Sequence, residues 1–264
     1  MAITKTQIPM SGLLILAFFL VLAHNVNSAS FKFDNFSSSS TLNAITLQGD
    51  SFITSNNALQ LTNALPNRAG RGSYSEPVHI WDAQTGKLAW FTTTFSFVMS
   101  PASPGPLGDG FSFFLAPFKS NIPQNSFGGY LGLFDPKAAL NSFKNQIVAV
   151  EFDTFGDSWD PVFQHVGIDI NSIASVSTVA LPSVNVQSGL IGFATVNYEP
   201  NEKNLSVILT YPQSQVSVTT ASLSFTVDLR TILPEWVRVG FSASTGQVVE
   251  LHKILTWSFS SSFN

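Results

Sequence analysis

Residues 148–175 read VAVEFDTFGDSWDPVFQHVGIDINSIAS. Two runs in this stretch alternate apolar and polar residues, from Val148 to Asp153 and from Val166 to Ile170. A period of two is the mark of a strand with one buried face. On the first strand Val150 and Phe152 point one way, and Glu151 and Asp153 point the other. The loop between the strands adds Asp157 and Asp160, and the second strand opens at His165. If the two strands pair, His165 reaches the same place as the acids. Adjacent carboxylates repel unless a positive charge lies between them. Four carboxylates and one imidazole make a candidate binuclear metal site. Oxygen donors suit calcium, and a mixed carboxylate and imidazole set suits manganese or another transition ion. A solvated acidic strand and loop is the alternative. Only 11% of the chain is charged, so four acids within ten residues argue against it.

The same alternation recurs along the chain. Ala89–Met99 reads AWFTTTFSFVM, with Phe91, Thr93, Phe95, Phe97 and Met99 on one face. Phe111–Leu115, Leu205–Tyr211, Val237–Phe241 and Ile254–Phe259 follow the pattern, as do shorter runs at Phe31–Asn35 and Leu59–Thr62. Turn clusters separate them, among them Asn56-Asn57, Gly128-Gly129 and Thr245-Gly246. Leu229–Trp236 is the best helical candidate, and it is no longer than a turn or two. Many short strands with regular turns predict an all-β sandwich or barrel. No linker, charge block or repeat divides the chain, so one domain is expected.

The 264 residues include 24 Phe and no Cys, with a net charge of −4. The acidic balance excludes the basic footprint of a nucleic-acid binder. The absence of cysteine excludes a disulfide scaffold, a thiol nucleophile and a cysteine-ligated metal. At the start, Lys5 precedes an apolar run from Leu13 to Ala23, which small residues close at Val26–Ala29. A membrane span needs about 20 such residues, so this run reads as a secretory signal peptide, residues 1–28, that is cleaved. A soluble domain over residues 29–264 follows, without membrane attachment. Asn35 and Asn204 head Asn-x-Ser triplets and are candidate glycosylation sites in that pathway.

Residues 148–175 resemble the metal-binding signature of the legume lectins. Further segments in the family's order are FKFDNF (31–36), ITLQGD (45–50), GDGFSFFLAP (108–117), GGYLGLF (128–134), VRVGFSASTG (237–246), His252 and LTWSF (255–259). The resemblance covers residues 30–264 and implies a concanavalin A-like jelly-roll sandwich of antiparallel sheets. It also implies calcium, manganese and a shallow carbohydrate site beside the calcium. By motif, Glu151, Asp153, Asp160 and His165 would hold manganese, with Ser175 holding a metal-bound water. Calcium would take Asp153, the carbonyl of Phe155, Asp157 and Asp160. The sugar site would comprise Asp109, Gly129, Phe155 and Asp157, with Gln247 and Val248 from a specificity loop at Gln247–Leu251. The Gly108–Asp109 peptide is expected to be cis.

One position departs from the family pattern. The calcium loop usually carries Asn where this chain has Asp157. An amide can bind calcium through its oxygen and donate its N–H to a sugar, whereas a carboxylate keeps only the first role. Two readings follow: a calcium- and manganese-dependent lectin, or a lectin-related storage or defence protein with weakened or lost sugar binding. The implied partners are glycans or glycoproteins and further copies of the chain, as a homodimer or homotetramer. The implied compartments are the extracellular space or the vacuole. Catalysis is not expected. Sandwich-fold glucanases carry a Glu-x-Asp-x-Glu strand, and Phe155 stands where the second glutamate would be.

Overall fold

The computed structural model describes residues 28–103, 105–182, 189–212 and 217–263. The expected signal segment lies outside them, apart from Ser28. The described residues form sixteen strands in two antiparallel sheets. The first sheet runs β14 (Val218–Thr226), β13 (Asn204–Pro212), β12 (Ile191–Glu199), β7 (Ala89–Pro101), β16 (Glu250–Phe263), β4 (Leu59–Gln60) and β3 (Phe52–Ile53), with β1 (Ala29–Phe33) also on β16. The second runs β11 (Ser177–Ala180), β10 (His165–Ile170), β9 (Val148–Asp153), β8 (Gly110–Pro117), β15 (Trp236–Ser244), β5 (Ala69–Tyr74) and β2 (Ile45–Gly49), with β6 (Val78–His79) on β15. This is the expected all-β sandwich.

The core lies between the sheets and is dense in rings. Phe95 and Phe97 of β7 meet Phe111, Phe152 and Phe241 from the opposite sheet. Phe111 and Phe152 are direct cross-strand partners, stacked with centroids 4.7 Å apart. Such ring pairs contribute about 0.5–1.5 kcal/mol beyond the area they bury. The indole N–H of Trp257, buried here, donates to Thr93 Oγ1 at 3.0 Å, so its polar atom is satisfied.

The two sheets differ on their other faces. On β12 and β13 every second residue faces outward, and Phe193 and Ile208 are exposed. On β8, β9 and β10 nearly every residue is buried. A second apolar cluster explains this. Leu131, Leu133, Phe134, Ile147 and Ile173 come from loops that fold over the second sheet and pack on Phe114 and Ala149. Buried Arg71 of β5 ties those loops down, donating through Nε to Gly132 O at 3.0 Å and through Nη2 to Leu133 O at 3.3 Å. Burial, and then Arg238, push its guanidinium down to about 9.

Two expectations change. Leu229–Trp236 is not a helix: a single 3-10 turn spans Leu229–Thr231, capped by Asp228, and β15 begins at Trp236. The described α-helix, α1, is instead Ser39–Ala44, where the hydroxyl of Ser38 accepts from Thr41 N.

Candidate functional site

The outward face of β9 and β10 carries the acid cluster. Their antiparallel register sets His165 opposite Asp153 and Gly167 opposite Glu151. His165 Nε2 lies 2.9 Å from Glu151 Oε1. Gly167 leaves the space between them open, since a Cβ there would meet Glu151 Oε1 at 2.5 Å and Ser175 Oγ at 1.9 Å. Glu151, Asp160 and His165 each bring a ligand atom within 4.8 Å of the others. Asp153 and Asp157 lie alongside that trio rather than in it. Asp153 Oδ1 accepts from Phe155 N at 2.7 Å, and Asp160 Oδ2 accepts from Asp157 N at 2.8 Å. These two bonds shape the loop.

Asp169 also belongs to the cluster, beyond the residues that the motif assigns. It is fully buried, and its Oδ1 lies 2.7 Å from Ser175 Oγ, which also lies 2.5 Å from Glu151 Oε1. A single hydroxyl proton cannot serve both carboxylates. Burial, then the charge of Glu151, hold the Asp169 carboxyl well above the usual range. Its protonated form can donate to Ser175, which resolves the pair. The signal was present: His165, Gly167 and Asp169 share one face of β10 by period two.

The electrostatics call for cations. Burial, then Glu151 and Asp160, raise Asp153 well above its ordinary value. Burial also pushes Asp160 up to about 6, and His165 is the one oppositely charged group acting on it. Burial opposes the charge on His165, but its hydrogen bond and charge interactions with Glu151 and Asp160 outweigh that and raise it. Glu151 Oε2, Asp157 Oδ2 and His165 Nδ1 are buried without a hydrogen-bond partner among the described residues. Buried charges are paired or coordinate metals. Oxygen-rich donors with one imidazole fit a hard dication beside a manganese-type ion.

The neighbouring surface is built on the loop before β8. The Gly108–Asp109 peptide is cis. Thr154 donates its N–H to Asp109 O at 3.0 Å, and its hydroxyl oxygen lies 3.1 Å from the same carbonyl. Asp109 is only 4% exposed, and its Oδ2 has no hydrogen-bond partner among the described residues. Burial, then Asp157 and Glu250, push its carboxyl up to about 7, while an N–H from Gly246 acts the other way. A side chain at Gly246 would crowd this carboxyl, because a Cβ there would sit 2.8 Å from Asp109 Oδ2. Gly246 lies within the VRVGFSASTG segment, where the motif alone assigns it no role.

The expected sugar-site residues mostly converge. Phe155 is 38% exposed. A Cβ on Gly108 would come within 2.4 Å of Val248 Cγ2 and 3.2 Å of Phe155 Cβ, so these three adjoin. Gly129 lies against Asp157, with its Cβ position 1.7 Å from Asp157 Oδ2. Gln247 is exposed on the loop that carries Val248. The specificity loop is shorter than Gln247–Leu251, because Glu250 and Leu251 already belong to β16. Glu250 is buried because it accepts from Thr154 Oγ1 at 2.6 Å and sits 3.4 Å from His252 Nε2. That bond links the loop to the strand end that carries Asp109. Of the two glycosylation candidates, Asn35 is exposed, whereas Asn204 is half-buried at the start of β13.

A jelly-roll sandwich whose covered sheet ends in a buried acid cluster beside a shallow ringed surface is the architecture of a lectin. The comparisons agree. A family model of the legume lectin domain matches residues 28–264. Lectin 7 of Medicago truncatula is 56% identical over 251 residues, 93% of each chain. The seed lectin of Lotus tetragonolobus superposes with a TM-score of 0.81 at 38% identity, covering 89% of this chain and 99% of that one. Lectin I of Ulex europaeus, solved in complex with the methyl glycoside of α-L-fucose, gives a TM-score of 0.78 at 40% identity, covering 89% and 98%. The chain belongs to the legume lectin family. The proteins it matches are lectins, which bind carbohydrate without catalysing a reaction, and this chain is of that non-enzymatic class.

Proposed function

We propose that the chain is a calcium- and manganese-dependent lectin that binds glycans or glycoproteins at the surface formed by Asp109, Gly129, Phe155, Asp157 and Val248, with Gln247 at its rim. The observation that carries this reading is the convergence of a deeply set acceptor, Asp109, with an exposed aromatic residue, Phe155, whose N–H bonds the buried Asp153. Asp109 would accept sugar hydroxyl protons through the oxygen that lacks a donor. Phe155 would pack on the weakly apolar C–H face of the sugar. Gly129 would offer its backbone N–H, which a side chain at that position would obstruct.

Glu151, Asp153, Asp160 and His165 would hold manganese, with Ser175 acting through a water. Asp153, the Phe155 carbonyl, Asp157 and Asp160 would hold calcium. Bound, the ions would supply the positive charge that the buried carboxyls lack. The chain's own part is positional. Phe155 N–H on Asp153 and Asp157 N–H on Asp160 shape the loop, Thr154 fixes Asp109, and Gly246 favours its ionised form. Asp157 supports the calcium role, because its Oδ2 is buried beside Gly129 with no donor among the described residues. A residue-1–28 leader, glycan on Asn35 or Asn204, an extracellular or vacuolar destination and homo-oligomeric assembly complete the proposal.

A glycan array with both ions present tests it, using the native chain and Asp109→Asn. The native chain should bind a defined set of glycans and the variant none, at unchanged folding. Equal binding by both would overturn the assignment of Asp109. No binding by a correctly folded, metal-loaded native chain would support a storage or defence role without sugar recognition.

A further inference from the structure

A second cluster of ligating side chains lies at the opposite end of β15. His79 on β6 is the register partner of Trp236, and Glu235 immediately precedes that tryptophan. Asp82 opens the turn that follows β6. One ligand atom from each of His79, Asp82 and Glu235 falls within 4.8 Å of the others. Asp109 sits beyond the far end of β15, where Ser244 pairs with Gly110. The eight steps from Trp236 to Ser244, at about 3.3 Å each, separate the two places by roughly 26 Å.

His79 is the unusual member. It is 7% exposed, and neither ring nitrogen has a hydrogen-bond partner among the described residues. Its ring is clamped between Trp236, stacked at 4.2 Å and 4°, and Phe263 at 5.0 Å. The clamp leaves Nε2 3.8 Å from Glu235 Oε1, too far for a hydrogen bond. A buried, unpaired imidazole is costly, and structures seldom leave one without a ligand.

The two carboxylates are held toward it by the backbone. Glu235 Oε1 accepts from Ala83 N at 2.5 Å, and Asp82 Oδ1 accepts from Thr85 N and Thr85 Oγ1, each at 2.7 Å. These bonds leave lone pairs on both groups. The nearby cation Arg230 is engaged elsewhere, bonding Asp228 Oδ1 and Oδ2 at 2.9 and 2.6 Å and Gly86 O at 2.7 Å.

We propose that His79, Asp82 and Glu235 form a zinc site separate from the acid cluster on β9 and β10. One imidazole and two carboxylates are a borderline donor set, suited to a transition ion rather than calcium. Tetrahedral zinc with bonds of about 2.0 Å needs donor atoms about 3.3 Å apart. The 3.8 Å between Nε2 and Oε1 must therefore close by only roughly half an ångström. Three protein ligands leave the fourth position to water. The ion would tie the Asp82–Thr85 turn to the start of β15.

Zinc uptake by protein already loaded with calcium and manganese tests the site. Equilibrium dialysis with elemental analysis should find one zinc per chain, with calcium and manganese retained. Asp82→Asn keeps the acceptor for Thr85 and removes the charge, and it should weaken zinc binding at least tenfold, as should His79→Gln. Asp82 is partly exposed, so its variant reports even if His79→Gln misfolds. Copper(II) at the same site should quench Trp236 fluorescence in the native chain and not in Asp82→Asn. Equal zinc uptake by native and Asp82→Asn proteins, or none by the loaded native protein, would overturn the proposal and leave a buried His79–Glu235 pair.

Discussion

β12 and β13 in one sheet and β9 and β10 in the other present equally apolar inner faces, yet their outer faces have opposite fates. On the first pair the outer residues meet solvent, as Ile208 and Phe193 do. On the second pair the outer residues lie under folded loops, so Glu151, Asp153, His165 and Asp169 are buried. The same period of two therefore has different consequences. Polar residues on an open face are already solvated. Under a cover they must find partners, and here the protein side chains supply one imidazole for several acids. The cover is what turns an acidic strand into a candidate ion site.

The largest effect should come from the core that both sheets share. Phe152→Ala removes a ring stacked on Phe111 and in contact with Phe95 and Phe97, and should cost about 3–5 kcal/mol in chemical denaturation.

Next in size is the pH response of the covered face in metal-stripped protein. Asp109 and Asp160 are raised to about 7 and about 6. A carboxyl raised on folding binds more protons folded than unfolded, so stability falls as pH rises from its unfolded value to its folded one. Metal-free protein should thus lose stability steadily between about pH 4 and pH 7. The loaded protein should show the opposite slope, because the ions need ionised carboxylates and a neutral His165. Thermal melts of both forms across that range check the sign. Parallel slopes would mean that the covered acids are not linked to ions.

The smallest effect should be on the open face. Ile208→Thr keeps a β-branched residue on β13 and should change unfolding free energy by less than about 0.5 kcal/mol. A cost near that of Phe152→Ala would show that the outer face of β13 is covered in solution.

What could be read from the sequence follows the same division. β7, β9, β13 and β16 alternate clearly, so their strands and facing were legible. The pairing that brings His165 to Asp153 followed from two strands joined by one loop. β5 was not legible, because AGRGSY has little alternation. Gly72 packs against Leu59, where a Cβ would come within 2.5 Å of Cδ2, so close approach replaces side-chain pattern there. The cover was also hidden. Leu131, Phe134, Ile147 and Ile173 lie in loops with no period to mark them as core. Without the cover, neither the depth of Asp169 nor the anchoring role of Arg71 could be inferred. Glu250 read as loop because the turn signal at Thr245-Gly246 precedes it. Its pairing with Pro101 of β7, distant in sequence, makes it strand.

The most direct test of the account is glycoprotein binding by one sample in three states: loaded, stripped of ions as verified by elemental analysis, and restored with calcium and manganese. The account predicts binding in the first state, its loss in the second and its recovery in the third. Undiminished binding by the verified metal-free protein would contradict it.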